Sequence, residues 1–332
     1  MRLKNFPVVS VSVIAGALST QAPATAQQDF EGFTEWAAPV NLGPPVNTAA
    51  EESAPAISDD GLSLYFNRNP NLPGDSDEDL YVTHRPRPVQ PPRRPRPEWG
   101  DPIPLVTVNT PAFNERNATL SRDGLILFFS SDRPGGFGGL DVYISRRVDR
   151  NDDQGWSTPV NLGPTVNSAG ADVGPDYVEN EEGKTVLYFT SNRPAPAGFG
   201  AADIYVSTLG VDGSFGPAVL VPELSSPSGD ARPAIRTDGL ELVLHSNRPG
   251  PPLSCPADSP SPSGGQDLWM STRATVAEKW SCPINVGSGI NSGSNDLQAA
   301  LSDDAEVLFY SSNRPEGFGS DDIWTSKREP SP

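Results

Sequence analysis

Short apolar runs alternate with turn residues along most of the chain. In one stretch, Ala118-Thr119-Leu120-Ser121 leads into Asp123-Gly124, and Leu125-Ile126-Leu127-Phe128-Phe129-Ser130 follows. Asp-Gly between apolar segments predicts a tight hairpin. The unbroken apolar run after it predicts a strand buried on both faces. Arg133 to Gly139 reads as a wide turn, and Asp141-Val142-Tyr143-Ile144-Ser145 as a third strand. Trp156 to Leu162 supplies a fourth, and its internal Pro159 assigns it to a sheet edge, where a missing N–H is tolerated.

This order recurs five times at a period of about 55 to 65 residues, the range of propellers and other arrays. Its core is an Arg-Pro turn followed by Asp-apolar-aromatic. The copies pair Arg68 with Asp79, Arg133 with Asp141, Arg193 with Asp203, Arg248 with Asp267 and Arg314 with Asp322. Three inner strands end near Arg85, Arg146, Thr208, Arg273 and Arg328, while outer strands begin at Trp36, Trp99, Trp156, Phe215 and Trp280. The first outer strand therefore precedes every inner set, so residues 36–42 are expected to complete the blade formed by residues 296–328. The predicted fold is all-β: a five-bladed β-propeller of four-stranded antiparallel blades, closed by its N-terminal outer strand. The expected division is a signal peptide at 1–26, a linker at 27–35, the propeller at 36–328 and a tail at 329–332.

The repeat, with its Asn-Leu-Gly-Pro-x-Val-Asn-Ser and Ser-Asn-Arg-Pro-Gly-Gly-Phe-Gly segments, resembles the WD40-like (PD40, TolB-type) propeller repeat in its exported envelope form. The resemblance spans residues 36–328 and implies an interaction domain of the periplasm or cell exterior.

Arg2 and Lys4, the apolar run from Val8 to Leu18 and Ala24-Thr25-Ala26 form a charged, apolar and small-residue series typical of a secretory leader. Export, to the periplasm or beyond, is the expectation, with no membrane insertion after cleavage. The formal charge is −18, and loss of Arg2 and Lys4 would take it to −20. Such a surface disfavours nucleic acid and anionic lipid. Envelope protein or polysaccharide are the expected partners. Cys255 and Cys282, in an exported chain, are expected to form a disulfide. With His84 and His245 in different repeats, neither a histidine-rich metal site nor a Ser-His-Asp triad is expected.

Two classes of polar residue repeat. The Arg and Asp of each turn (Arg68, Asp79, Arg133, Asp141, Arg193, Asp203, Arg248, Asp267, Arg314, Asp322) keep company across a loop of varying length. That predicts an ion pair closing the loop, because a guanidinium can grip a carboxylate bidentately. A second acid, Glu52, Glu115, Asp172, Asp230 or Asp296, precedes each innermost strand and would ring the channel mouth. No cofactor is expected, with calcium the one cation such oxygen ligands would suit. Beside this ring stand residues that do not repeat: Arg116, Asn117, Asp176, Tyr177, Arg232 and Gln298. With the ring acids, these are the channel-face binding candidates.

Equivalent blades and no nucleophile constellation favour a non-catalytic propeller that holds a protein or envelope polymer on its channel face. The second reading is a glycan-active enzyme, a glycoside hydrolase working with carboxylates in the central funnel. Catalysis would require two carboxyl groups at a suitable separation in unlike environments.

Overall fold

The computed structural model describes residues 32–70, 77–87, 99–179, 184–194, 199–250 and 262–331. It contains five four-stranded antiparallel sheets, arranged as the blades of a propeller. Blade 1 is β2 (Glu51–Ile57), β3 (Ser63–Asn69), β4 (Asp79–His84) and β5 (Ile103–Pro104). Blade 2 is β6 (Glu115–Leu120), β7 (Ile126–Ser131), β8 (Asp141–Arg146) and β9 (Val160–Asn161). Blade 3 is β10 (Asp172–Glu179), β11 (Thr185–Ser191), β12 (Asp203–Thr208) and β13 (Val219–Leu220). Blade 4 is β14 (Asp230–Ile235), β15 (Glu241–Ser246), β16 (Asp267–Thr272) and β17 (Ile284–Asn285). Blade 5 joins β18 (Asp296–Leu301), β19 (Val307–Ser312) and β20 (Asp322–Lys327) to β1 (Val40–Asn41).

The closure is as expected: β1 pairs with β20, Val40 opposite Thr325 and Asn41 opposite Trp324. The five first strands pack side by side around the axis. Apolar clusters fill the gaps between blades. One joins Tyr65, Leu80 and Leu105 of blade 1 to Leu127, Phe129 and Trp156 of blade 2.

The outer strands are shorter than the sequence suggested, two paired residues each. A proline before or within each pair removes a ladder donor. The tryptophan that opens each outer segment instead lies under an arginine from the end of the third strand. Arg85 stacks on Trp99, Arg147 on Trp156, Arg273 on Trp280 and Arg328 on Trp36, at 4.2–4.5 Å from ring centre to guanidinium carbon. In blade 3 both partners change together, and Leu209 meets Phe215.

The expected Arg–Asp pair of each turn does not form. Each arginine reaches across to the ring acid of its own blade, which stands within the first two residues of the innermost strand and not before it. Arg68 pairs with Glu52 at 2.8 Å, Arg133 with Glu115 at 2.9 Å, Arg193 with Asp172 and Arg314 with Asp296 at 2.5 Å, and Arg248 with Asp230. The guanidinium also donates to a carbonyl of the preceding turn, as from Arg133 to Val108 at 2.7 Å. The turn aspartate closes its loop by other means. Asp141 accepts from Phe137 N at 2.5 Å and from the Asn161 amide at 2.8 Å, and Asp322 accepts likewise from Phe318 N and Asn41.

Asp267 accepts from Asn285 in the same way, but blade 3 offers Leu220 at that position. Asp203 is buried without that amide donor, and its Oδ1, like those of Asp141 and Asp267, is unpartnered. Burial, and then the like charge of Asp230, push its carboxyl up to about 6. Since the folded state holds this proton more tightly than the unfolded chain, the contribution is greatest below pH 4 and is lost as pH rises through 6. Asp203→Asn should therefore stabilise the protein at pH 7 by up to about 3 kcal/mol and lose that advantage near pH 4. Urea melts of both proteins across that range test this, and parallel pH profiles would refute it.

Cys282 is disulfide-bonded. Cys255, the leader and residues 27–31 of the expected linker lie outside the described residues. Among the described residues, no helix is long and apolar enough to cross a membrane.

Candidate functional site

Every innermost strand carries a bulge two residues beyond its ring acid. Ala54, Asn117, Gly174, Arg232 and Gln298 occupy it, all with φ between +51° and +62°. A classic antiparallel ladder would have paired their N–H groups; the bulge turns them toward the neighbouring blade. Ala54 N donates to Ser311, Asn117 N to Asn67, Gly174 N to Ser130, Arg232 N to Thr190 and Gln298 N to His245, at 2.8–3.2 Å. These five bonds form a closed ring of latches between blades. The His245 ring accepts through Nδ1, and burial together with the Arg232 charge pushes its imidazole down to about 3, so it is neutral here.

The ring acids do not present themselves to the channel. Glu52, Glu115, Asp172, Asp230 and Asp296 are fully buried, turned into their own blades by the arginines. Four of them also accept a backbone N–H from the turn before them, from Thr48, Thr110, Ser168 and Ser292. Asp230 takes Ser246 Oγ instead, at 2.5 Å. Among the described residues, no cluster of three or more His, Cys, Asp or Glu side chains is disposed to hold a metal ion.

The residues that do not repeat are divided by the structure. Arg116 lies at the strand-entry mouth, paired with Glu78 at 3.1 Å. There Glu51 is held above the usual carboxylate range, by burial and by its like-charged neighbours Glu78 and Asp321. Tyr177 stacks on Phe128 at 4.7 Å and donates to Glu179, so its ring belongs to the packing between blades 2 and 3. Gln298 accepts the Ala54 N–H at 3.0 Å and serves the latch. Asn117 and Arg232 are buried at the bulge level, and Asp176 lies two residues beyond it.

Asp176 shares its level with Ala56, Thr119, Ala234 and Ala300, four small side chains that leave room around it. It accepts from Thr119 Oγ1 at 3.2 Å and from Ile235 N at 2.6 Å. Burial pushes its carboxyl up to about 6, these two donors and Arg232 opposing the shift. Toward the hairpin mouth the channel widens into a cavity of about 100 Å³, which Asp176, Glu179, Asp59, Arg122 and Asp303 all line. Arg122 lies 3.3 Å from Asp59 and 3.8 Å from Asp303. Burial first, and then the Asp303 charge, raise the Asp59 carboxyl, with Arg122 between the two acids opposing the shift.

Asp59, Arg122 and Asp303 escaped the sequence reading. They occupy the variable position of Ser-x-Asp-Gly, where the eye goes to the turn-forming residues beside it. The structure also aligns Ser63, His84 and Asp153, which the sequence did not lead one to expect. Ser63 Oγ meets His84 Nδ1 at 2.9 Å, and His84 Nε2 meets Asp153 at 2.7 Å. This line lies outside the channel, with Asp153 also 3.3 Å from Arg147, and it ties blade 1 to a blade 2 loop.

No protein-family model matches the chain, and no curated protein matches its sequence. Solved structures do. A thermostable family-43 glycoside hydrolase is 13% identical with a TM-score of 0.56, over 86% of this chain and 91% of that one. The alpha-L-arabinofuranosidase from Lactobacillus brevis is 13% identical with a TM-score of 0.55, over 86% and 92%. The catalytic domain of the Coprinopsis cinerea GH62 alpha-L-arabinofuranosidase is 10% identical with a TM-score of 0.53, over 90% and 97%. At such identities the likeness establishes the architecture. It nonetheless overturns the expectation that this architecture marks a non-catalytic binding module, since these matching propellers are glycoside hydrolases along most of their length.

Proposed function

We propose that the chain is a glycan-active enzyme, a glycoside hydrolase working from the hairpin mouth of its central channel. The observation that carries this reading is the convergence of Asp176, Asp59 and Asp303 on one channel cavity, in unlike environments. Hydrolysis of a glycosidic bond needs a carboxylic acid to protonate the leaving oxygen and a carboxylate to activate water or attack. Asp176, held near 6, is the proton donor. The Asp59–Asp303 pair, beside Arg122, supplies the base.

In this reading the PD40-like repeat describes the blades, and the chemistry lies in side chains that do not repeat. The leader delivers the enzyme outside the cytoplasm, where it meets polysaccharide. The names of the structural neighbours make arabinose-containing polysaccharides the first substrates to assay. Release of reducing sugar should fall at least about 100-fold in Asp176→Asn and in Asp303→Asn. A folded protein that cleaves none of a panel of plant and envelope polysaccharides would overturn the proposal, as would full activity in both variants.

A further inference from the structure

Four arginines are buried among the described residues: Arg147, Arg232, Arg248 and Arg328. Three have a carboxylate in reach: Asp153 at 3.3 Å from Arg147, Glu241 at 2.7 Å from Arg328, and Asp230 against Arg248. Arg232 forms no ion pair among the described residues. It is 5% exposed, and its Nη1 has no hydrogen-bond partner. The side chain runs across Gly174 of the preceding blade, so closely that a Cβ there would stand 2.8 Å from Arg232 Cδ. It lines a recess of about 60 Å³ with Ala56, Thr119, Pro175, Asp176 and Ala300, continuous with the larger cavity through Thr119 and Asp176.

No described carboxylate forms an ion pair with it, and Asp176 acts on it only through its charge. Asp176 spends its oxygens on Thr119 and Ile235 N, and His245 is a neutral acceptor for Gln298 N. Burial draws the guanidinium down to about 10, which leaves it charged at neutral pH. A buried cation without a paired counter-charge is costly, and the fold gives every other buried arginine described a carboxylate in ion-pair contact. We infer that Arg232 is an anion-recognition residue, and that the sugar taken by the channel carries a carboxylate, a uronic acid unit. A carboxylate matches the planar guanidinium fork and fits a recess of this size. The sugar identity rests on the glycan-active reading; the anion site stands apart from it.

The test is binding to the intact protein, by ligand-observed NMR or calorimetry, of galacturonate, its uncharged methyl ester and galactose. Galacturonate should bind at least about tenfold more tightly than the ester or galactose. Arg232→Gln should remove that preference and Arg232→Lys should keep part of it. Equal binding of acid and ester to the wild type, a comparison that needs no variant, would overturn the inference, as would a preference surviving in a folded Arg232→Gln protein. Tight uronate binding without cleavage of any polysaccharide would remove the hydrolase reading and leave this one standing. Cleavage of neutral glycans with no gain from a carboxylate would do the reverse.

Discussion

Replacing Arg248 with methionine should cost about 3–5 kcal/mol of stability, because it strips the partner from a wholly buried carboxylate. Arg248 is 2% exposed and Asp230 is fully buried. The guanidinium also donates to Leu224 O at 2.8 Å and lies over the Trp269 ring. Methionine would fill much of the space and leave Asp230 with Ser246 Oγ, its Oδ2 already lacking a partner. The same change at Arg68, whose side chain is 17% exposed, should cost roughly half as much. There Glu52 retains Thr48 N and Oγ1, both at 2.7 Å. Urea midpoints at constant slope measure both losses. A double change, Arg248→Met with Asp230→Leu, should recover most of the deficit, since an apolar pair of similar bulk replaces a buried ion pair at little cost. Equal losses at Arg68 and Arg248, with no recovery in the double variant, would place the effect in packing and not in charge.

The architecture was legible because its determinants are local and recur. Asp-Gly turns, apolar runs and edge prolines each declare one strand, and five copies set the blade count. Even the closure of blade 5 by Val40–Asn41 follows from counting strands. The partner of each repeated arginine was not legible. Two acids lie within reach of it in every copy, and spacing alone favours the one across the turn. The choice falls to the third dimension, where the pleat carries the arginine over its aromatic neighbours toward the ring acid, as Arg133 over Phe129 and Tyr143.

The candidate site divides in the same way. Asp176 was visible because it interrupts a position that is small elsewhere, and Arg232 because it is a charge where the other copies place neutral residues. Asp59, Arg122 and Asp303 were hidden because variability in a turn carries no signal in one sequence. They come together only when the blades are placed in a ring and their hairpins meet over the channel. Function in this propeller thus depends on departures from the repeat, whereas stability depends on its fidelity. Gly174 belongs to both, for it adopts φ +60° at the latch and clears the path of Arg232.

Changing Gly319 to alanine should destabilise the protein by about 3 kcal/mol or more, through steric conflict at the seam where the chain closes. The glycines of the Gly-Phe-Gly turn look like turn-formers, yet Gly319 has no positive φ. It lies against the backbone of the next blade. A Cβ there would drive into the Ala50 carbonyl oxygen and stand 3.0 Å from Thr48 O. Gly138, Gly200 and Gly264 meet the carbonyls of Gly170, Ser228 and Ser294 in the same manner. At most positions a flexible side chain could yield, but Ala50 and Thr48 precede a strand fixed by the Arg68–Glu52 pair and by Glu52 N donating to Asp321 O at 2.9 Å. Relief would require blades 5 and 1 to separate, which opens the cluster that joins Val46, Leu64 and Phe66 to Phe309 and Ile323. Gly293→Ala, where a Cβ meets nothing within 4 Å, should be nearly neutral and serves as the control. Thermal melts of the two variants decide the matter: equal melting temperatures would show that the seam yields, and a large loss confined to Gly319→Ala would show that close backbone contact between blades holds the ring shut.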